Sequence, residues 1–312
     1  MDRPIIRVRD VAFPRFQAPD LDRMESFLVA FGMQRADRTA DALYMRGTDG
    51  QHHIHVTHLG DAAFVGLAFH AASRADLDIL AGATGRPVEK LEEPGGGEVV
   101  RLHDPDGRRV DVLHGTATLE PLPLRVHPPL NTGVQRPRIG TLQRITPGPA
   151  QVKRFGHAAL KSTSLSTASG WYQRTLGMLS SDDIYMEGPD KPLGRFLRCD
   201  RGDEPADHHT LLLLETPEAK LGHVAYEVAD FDDLMVGHEH LTVNAAGGRP
   251  YWGIGRHILG GQIFDYWKDP FGFTIEHWTD SDLLRADTPA GTHHILQSLN
   301  QWGPMPPPDL DF

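Results

Sequence analysis

Three stretches recur in the same order along the chain, and such a recurrence constrains the fold more than any local propensity does. FLVAFGM, from Phe27 to Met33, is echoed by YQRTLGM, from Tyr172 to Met178. DALYMRG (Asp41 to Gly47) is echoed by DDIYMEG (Asp182 to Gly188), and HDPDGRRVDVLH (His103 to His114) by KDPFGFTIEHW (Lys268 to Trp278). The chain therefore reads as two related halves, residues 1–117 and 150–282. The Pro-rich stretch 118–149 between them reads as a linker and 283–312 as a C-terminal tail, whose Pro-rich end QWGPMPPPDLDF, from Gln301 to Phe312, is expected to extend over the surface.

Each half divides again. In the second, RFGHAALK is a strand, TASGWYQRTLGM a helix that stops at Gly177, and IYMEG, RFLRCD and HTLLLLE are strands. The order then repeats. LGHVAYEV is a strand, DFDDLMVGHEHLTV a helix capped by Asp230, and YWGIGR, QIFDYW and FTIEHW are strands. The first half shows the same units, with helices at Asp20–Phe31 and Ser73–Ala81. The predicted fold is α+β: four βαβββ modules in two domains, each pair forming a half-open barrel.

Bulk properties narrow the function. Net charge is −11, with 31 Lys and Arg against 42 Asp and Glu, and no basic block. Nucleic acid and anionic membranes are therefore not expected partners. No apolar run approaches the ~20 residues of a membrane span. The start, MDRPIIRVRD, carries charge where an export signal needs an apolar run. A single cysteine, Cys199, allows no internal disulfide, which fits a cytoplasmic setting. Histidine is abundant, at 18 residues. Most are read as surface residues, including the runs His52 to His58 and His238 to His240. His238 and His240 lie two apart in a helical pattern, on different faces.

Three other polar residues stand out once strand faces are assigned with period two. Val224, Tyr226 and Val228 take one face of their strand, so His223 points the other way. Phe273 and Ile275 likewise leave Glu276 opposite, and His157 shares a face with Phe155 and Ala159. Two imidazoles and one carboxylate on one face, with positions left open, suit non-haem Fe(II). The first half lacks this set. Aligning the repeats puts Ala12 opposite His157, Gly66 opposite His223 and Asp111 opposite Glu276. One metal, in the second half only, is expected.

The closing pattern is more specific. His257 is followed after nine residues by Tyr266 and after ten more by Glu276, with the Asp269-Pro270-x-Gly272 turn between. His208-His209-Thr210 precedes the second ligand. With these features the chain resembles the type I extradiol ring-cleavage dioxygenases of the vicinal oxygen chelate superfamily, over both halves. The resemblance implies that His157, His223 and Glu276 bind Fe(II), for which Mn(II) can substitute. It implies that His209 faces oxygen as an acid/base, favoured over His208 by the motif, and that His257 and Tyr266 hydrogen-bond the substrate hydroxyls. The substrates implied are a catecholic ring and O₂, and the assembly implied is a homo-oligomer. Leu259 and Gly260 depart from the polar residues often found there, which bears on substrate details. Two other readings suit the same fold: a metal-dependent glyoxalase-like isomerase or lyase, and a non-catalytic small-molecule binder.

Overall fold

A computed structural model describes residues 3–125 and 127–307. The first half runs β1 (Val8–Ala18), α1 (Leu21–Phe31), β2 (Gln34–Arg38), β3 (Ala42–Arg46) and β4 (His55–Leu59), then β5 (Ala63–Ala71), α2 (Arg74–Thr84), β6 (Val88–Lys90), β7 (Glu98–His103) and β8 (Arg109–His114). The second half runs β9 (Val152–Ser162), α3 (Leu165–Leu176), β10 (Leu179–Tyr185), β11 (Pro192–Arg198), β12 (Ala206–Asp207) and β13 (Leu211–Glu215). It continues with β14 (Lys220–Val228), α4 (Phe231–Asn244), β15 (Arg249–His257), β16 (Ile263–Lys268) and β17 (Thr274–Thr279). Three short strands follow, β18 (Leu283–Leu284), β19 (Gly291–His294) and β20 (Asn300–Trp302). These are the four βαβββ modules. Each helix begins where a side-chain oxygen of Asp20, Ser73, Ser164 or Asp230 accepts from a backbone N–H of the first turn. Three end at a left-handed glycine: Gly32, Gly85 and Gly177. No helix of the described residues is long and apolar enough to cross a membrane.

Each pair of modules forms one open sheet. The first has the order β2-β3-β4-β1-β5-β8-β7-β6, the second β19-β10-β11-β13-β9-β14-β17-β16-β15-β20. In both, the first strands of the two modules pair antiparallel at the centre, and each pairs parallel with the last strand of its own module. Part of the tail enters the second sheet: β19 and β20 extend its two edges, β20 taking in Gln301 and Trp302, and residues 308–312 of the Pro-rich end lie outside those described.

The registers correct two of the sequence matches. His157, Ala225, Glu276 and Tyr266 lie in one row across β9, β14, β17 and β16. The same row in the first sheet is Phe13, Ala68, Asp111 and Arg101. Phe13, not Ala12, is thus the counterpart of His157. The cause is one extra residue in α3, so an alignment anchored on Phe27 and Tyr172 runs one position out at the preceding strand. DALYMRG and DDIYMEG are not counterparts either. The first lies on β3, the second starts on β10, and the register makes Asp37 of β2 the equivalent of Asp182.

The halves pack closely. One continuous core joins residues such as Phe27, Phe31 and Met45 to Phe155, Tyr226 and Trp267. The His277 ring stacks on Phe31, 3.7 Å between centroids, and its Nε2–H donates to the Phe31 carbonyl at 2.7 Å. A Cβ on Gly47 would lie 2.0 Å from the Lys153 carbonyl oxygen, so the approach requires glycine there. Residues 119–150 contain no helix or strand among those described.

Asp111, at the Glu276 position, is fully buried and paired with Arg15 at 2.8 Å; Arg15 also reaches Glu93 at 2.8 Å. The first half thus neutralises its buried carboxylate with a guanidinium. Removing one member of a buried pair costs roughly 3–5 kcal/mol. Arg109 also contacts Asp111, at 2.8 Å, so Arg15→Ala is expected near the lower end, about 3 kcal/mol, read as a urea midpoint shift with metal content unchanged.

Candidate metal centre

His157, His223 and Glu276 come together on the interior face of the second sheet. Ala225 pairs with both His157 and Glu276, and its small side chain leaves the space between them open. His223, two residues back on β14, shares that face. Nε2 of His157 lies 3.4 Å from Oε2 of Glu276, Nε2 of His223 lies 3.2 Å from the same oxygen, and the two Nε2 atoms are 3.3 Å apart. Donors bound at about 2.1 Å to one ion are separated by about 3.0–3.4 Å, depending on its geometry. Burial drives both imidazoles to pKa values of about 3, so each is neutral near pH 7. Burial also pushes the Glu276 carboxyl up, against the pull of His223, His257 and the Tyr266 hydroxyl.

The surroundings fit a cation. Glu276 has no exposure, and no hydrogen bond of good geometry reaches either of its oxygens. Three lone-pair atoms converging in a dry site repel one another. A neutral imidazole presenting its N–H at Nε2 would relieve one contact and add no charge to balance the carboxylate. A dication satisfies all three at once. Among the described residues, this is the one group of three or more His, Cys, Asp or Glu side chains spaced to hold a metal ion. The histidine-rich runs do not form another. His55 bonds Tyr226 and Thr57, and His238 bonds Asp265.

The residues expected around the triad line one cavity of about 270 Å³. His257 Nε2 is 3.1 Å from the Tyr266 hydroxyl, and the Tyr266 ring meets that of His223 edge-on at 5.1 Å. Burial lowers His257 to about 4, despite Glu276, and holds Tyr266 well above its ordinary value. One is thus a neutral imidazole and the other an intact O–H. His209 lies on the other side, its ring 4.3 Å from that of His157, and burial holds it neutral as well. His208 does not line the cavity. It points back to Asp182, with Nε2 2.7 Å from Oδ2.

Ile184, Phe196, Leu212, Leu214 and Leu259 give the cavity an apolar wall. That accounts for Leu259. Gly260 has φ +80°, and a Cβ there would lie 3.1 Å from Nδ1 of His208. Two site residues escaped the sequence. Gln262 lines the cavity, fully buried, with both amide atoms unpaired. Asp182 was hidden by the mistaken repeat match. Gln262 adjoins the Gly260-Gly261 turn, a usable signal; Asp182 carried none.

No family model matches the chain. It is 29% identical over 317 residues to Metapyrocatechase 2 of Cupriavidus necator, covering 98% of this chain and 92% of that protein. It is 23% identical over 285 residues to biphenyl-2,3-diol 1,2-dioxygenase of Sphingomonas paucimobilis, covering 87% and 88%. Among solved structures, the anaerobic substrate complex of homoprotocatechuate 2,3-dioxygenase from Brevibacterium fuscum superposes with a TM-score of 0.81 at 19% identity, over 99% of this chain and 93% of that one. The Mn(II)-bound glyoxalase from Novosphingobium aromaticivorans superposes with 0.79 at 24% identity, over 97% and 94%. The fold is therefore that of the extradiol dioxygenases and their vicinal oxygen chelate relatives.

Metal-free chain titrated with Fe(II) or Mn(II) is expected to take one ion tightly; two would contradict the asymmetry between the halves. Glu276→Gln keeps the shape and removes the charge. Loss of a partner outside the ligand set typically costs 10–100-fold in metal affinity, so loss of the ligand charge is expected to exceed about a hundredfold with little change in Tm. A variant that keeps its metal and changes only in Tm would mean a structural acid.

Proposed function

We propose that this chain, a homologue of the extradiol dioxygenases, inserts both atoms of O₂ into a catecholic or related polyhydroxylated ring next to its diol. The observation that carries this reading is the convergence of His209, His257 and Tyr266 with His157 and His223 on one largely apolar cavity, with Glu276 completing the triad directly behind the two imidazoles. His157, His223 and Glu276 would hold Fe(II), and Mn(II) fits the same donors. When bound, the metal supplies open positions for the two hydroxyl oxygens and O₂, and a route for electron density between them. A catechol must lose a proton to chelate, and the neutral His257 imidazole is placed to accept it. The Tyr266 O–H donates to a ring oxygen. His209, across the triad, accepts and returns a proton on the oxygen side. The aliphatic wall takes the ring and excludes water. An isomerase of glyoxalase type has no use for this His257–Tyr266 pair.

The functional division follows the repeat: 1–117 as the metal-free half, 118–149 as linker, 150–282 as the catalytic half and 283–312 as the tail. A homo-oligomer fits the open sheet edges, and a cytoplasmic setting fits the single buried Cys199. Light scattering and cell fractionation check these two; a clean monomer at working concentration contradicts the first.

The activity is tested by anaerobic reconstitution with Fe(II), then a panel of catechols with oxygen uptake and visible absorbance recorded together. Expected is one O₂ consumed per ring-opened product. No uptake with any catechol or hydroquinone overturns the reading. His209→Phe is expected to retain iron and catechol binding while turnover falls about 10²–10⁴-fold.

A further inference from the structure

His209 has a neighbour that the reaction scheme leaves unused. Nδ1 of His208 lies 3.1 Å from Nδ1 of His209, and Nε2 of His208 lies 2.7 Å from Oδ2 of Asp182. The other Asp182 oxygen accepts from the Gly291 backbone N–H and lies near Nε2 of His293, both at 3.0 Å. His208 and His209 are both buried, and Phe196 meets each ring edge-on. The chain of contacts runs from the tail strand β19 through β10 into the cavity.

We propose that Asp182 and His208 are positioning residues that lock His209 into one tautomer, and that the tail strand holds Asp182 in place for this task. The direction of the hydrogen bonds follows from the acceptor at the far end. A carboxylate only accepts, so His208 Nε2 carries the proton it donates to Asp182. Two Nδ1 atoms 3.1 Å apart need one donor and one acceptor, and an imidazole that carries its proton at Nε2 offers a lone pair at Nδ1. That lone pair accepts from Nδ1–H of His209, which leaves Nε2 of His209 bare. His209 thus meets the cavity as a base with a fixed ring plane, as an oriented general base requires. This role rests on the proposed dioxygenase reading; the tautomer itself does not.

The first half provides an internal comparison. Its His52 and His53 occupy the positions of His208 and His209, as the registers of β4 and β13 show. They repeat the geometry, with Nδ1 atoms 3.1 Å apart and rings 5.3 Å apart at 85°. Asp37 stands where Asp182 does, yet among the described residues no hydrogen bond joins it to His52. No tail strand flanks it either. The carboxylate arm and its clamp belong to the half with the triad.

The test is the ¹⁵N–¹H spectrum of the histidine side chains in the full-length chain, metal-free and loaded with diamagnetic Zn(II). His209 is expected as the Nδ1–H tautomer. His208→Phe removes the acceptor, and the spectrum should shift toward Nε2–H or a mixture. His208→Asn places an amide oxygen where Nδ1 was and should restore Nδ1–H. In the Fe(II) protein, His208→Phe and Asp182→Ala should lower kcat about 10- to 100-fold with iron content and catechol KM unchanged, and His208→Asn should recover most of it. An Nε2–H signal in the native chain, or a tautomer indifferent to His208→Phe, overturns the proposal. If His208→Phe does not fold, Asp182→Ala takes its place: it frees the His208 proton to move to Nδ1, so the His209 Nδ1–H signal should weaken or mix, and an unchanged signal overturns the proposal. A chain that cleaves no catechol yet shows the locked tautomer would fail only the activity assignment.

Discussion

A carboxylate with no exposure and no hydrogen-bond partner is stable as an anion only beside a positive charge. Both halves of this chain bury a carboxylate fully at the same point of their equivalent sheets, and they supply its counter-charge differently. In the first, Arg15 reaches across from the central strand and contacts Asp111. In the second, Ala159 stands where Arg15 does, as the pairing of each with its β5 or β14 neighbour shows. No guanidinium is supplied there. Glu276 instead faces two neutral imidazoles, and the charge has to come from an ion. The rest of the centre follows from that row. Tyr266 is cross-strand from Glu276, Ala225 keeps the space clear, and His157 closes the far side.

Much of this was legible in the sequence because it depends on short-range rules. Alternation along β14 and β17 was enough to set His223 and Glu276 on one face; on β9 an irregularity at Gly156 turns Phe155 to the core beside Tyr226, so His157 shares its face with Ala159 and not, as strict alternation predicts, with Phe155. The fixed spacing from His257 to Tyr266 to Glu276 spans a single hairpin and leaves little freedom. Helix starts were readable from Asp230, and ends from Gly177. What was lost depended on register between distant strands. A one-residue difference in helix length moved Phe13 to Ala12. A resemblance of seven residues matched β3 to β10. Nothing in the tail sequence signalled that Gly291 and His293 would return to Asp182, since that contact is set by the closing of the sheet edge and not by any local pattern.

The tail also explains why two similar frames differ in use. The His-His pair, the Asp-Pro-x-Gly turn and the central strand pairing occur in both sheets. Only the second sheet gains β19 on one edge and β20 on the other. Beside β20, the Ile258 N–H donates to the Leu299 carbonyl, and Gln301 donates to the His257 carbonyl. Ile295, Ser298 and Leu299 then form part of the cavity wall. The same 12 residues, 291–302, therefore hold Asp182 on one side of the centre and brace His257 on the other. A buried polar site gains precision when its first contacts are fixed by a further layer. Here that layer is one continuous segment that enters after both repeats are complete, which is why the repeat alone could locate the metal ligands but not the groups that aim the histidines beside them.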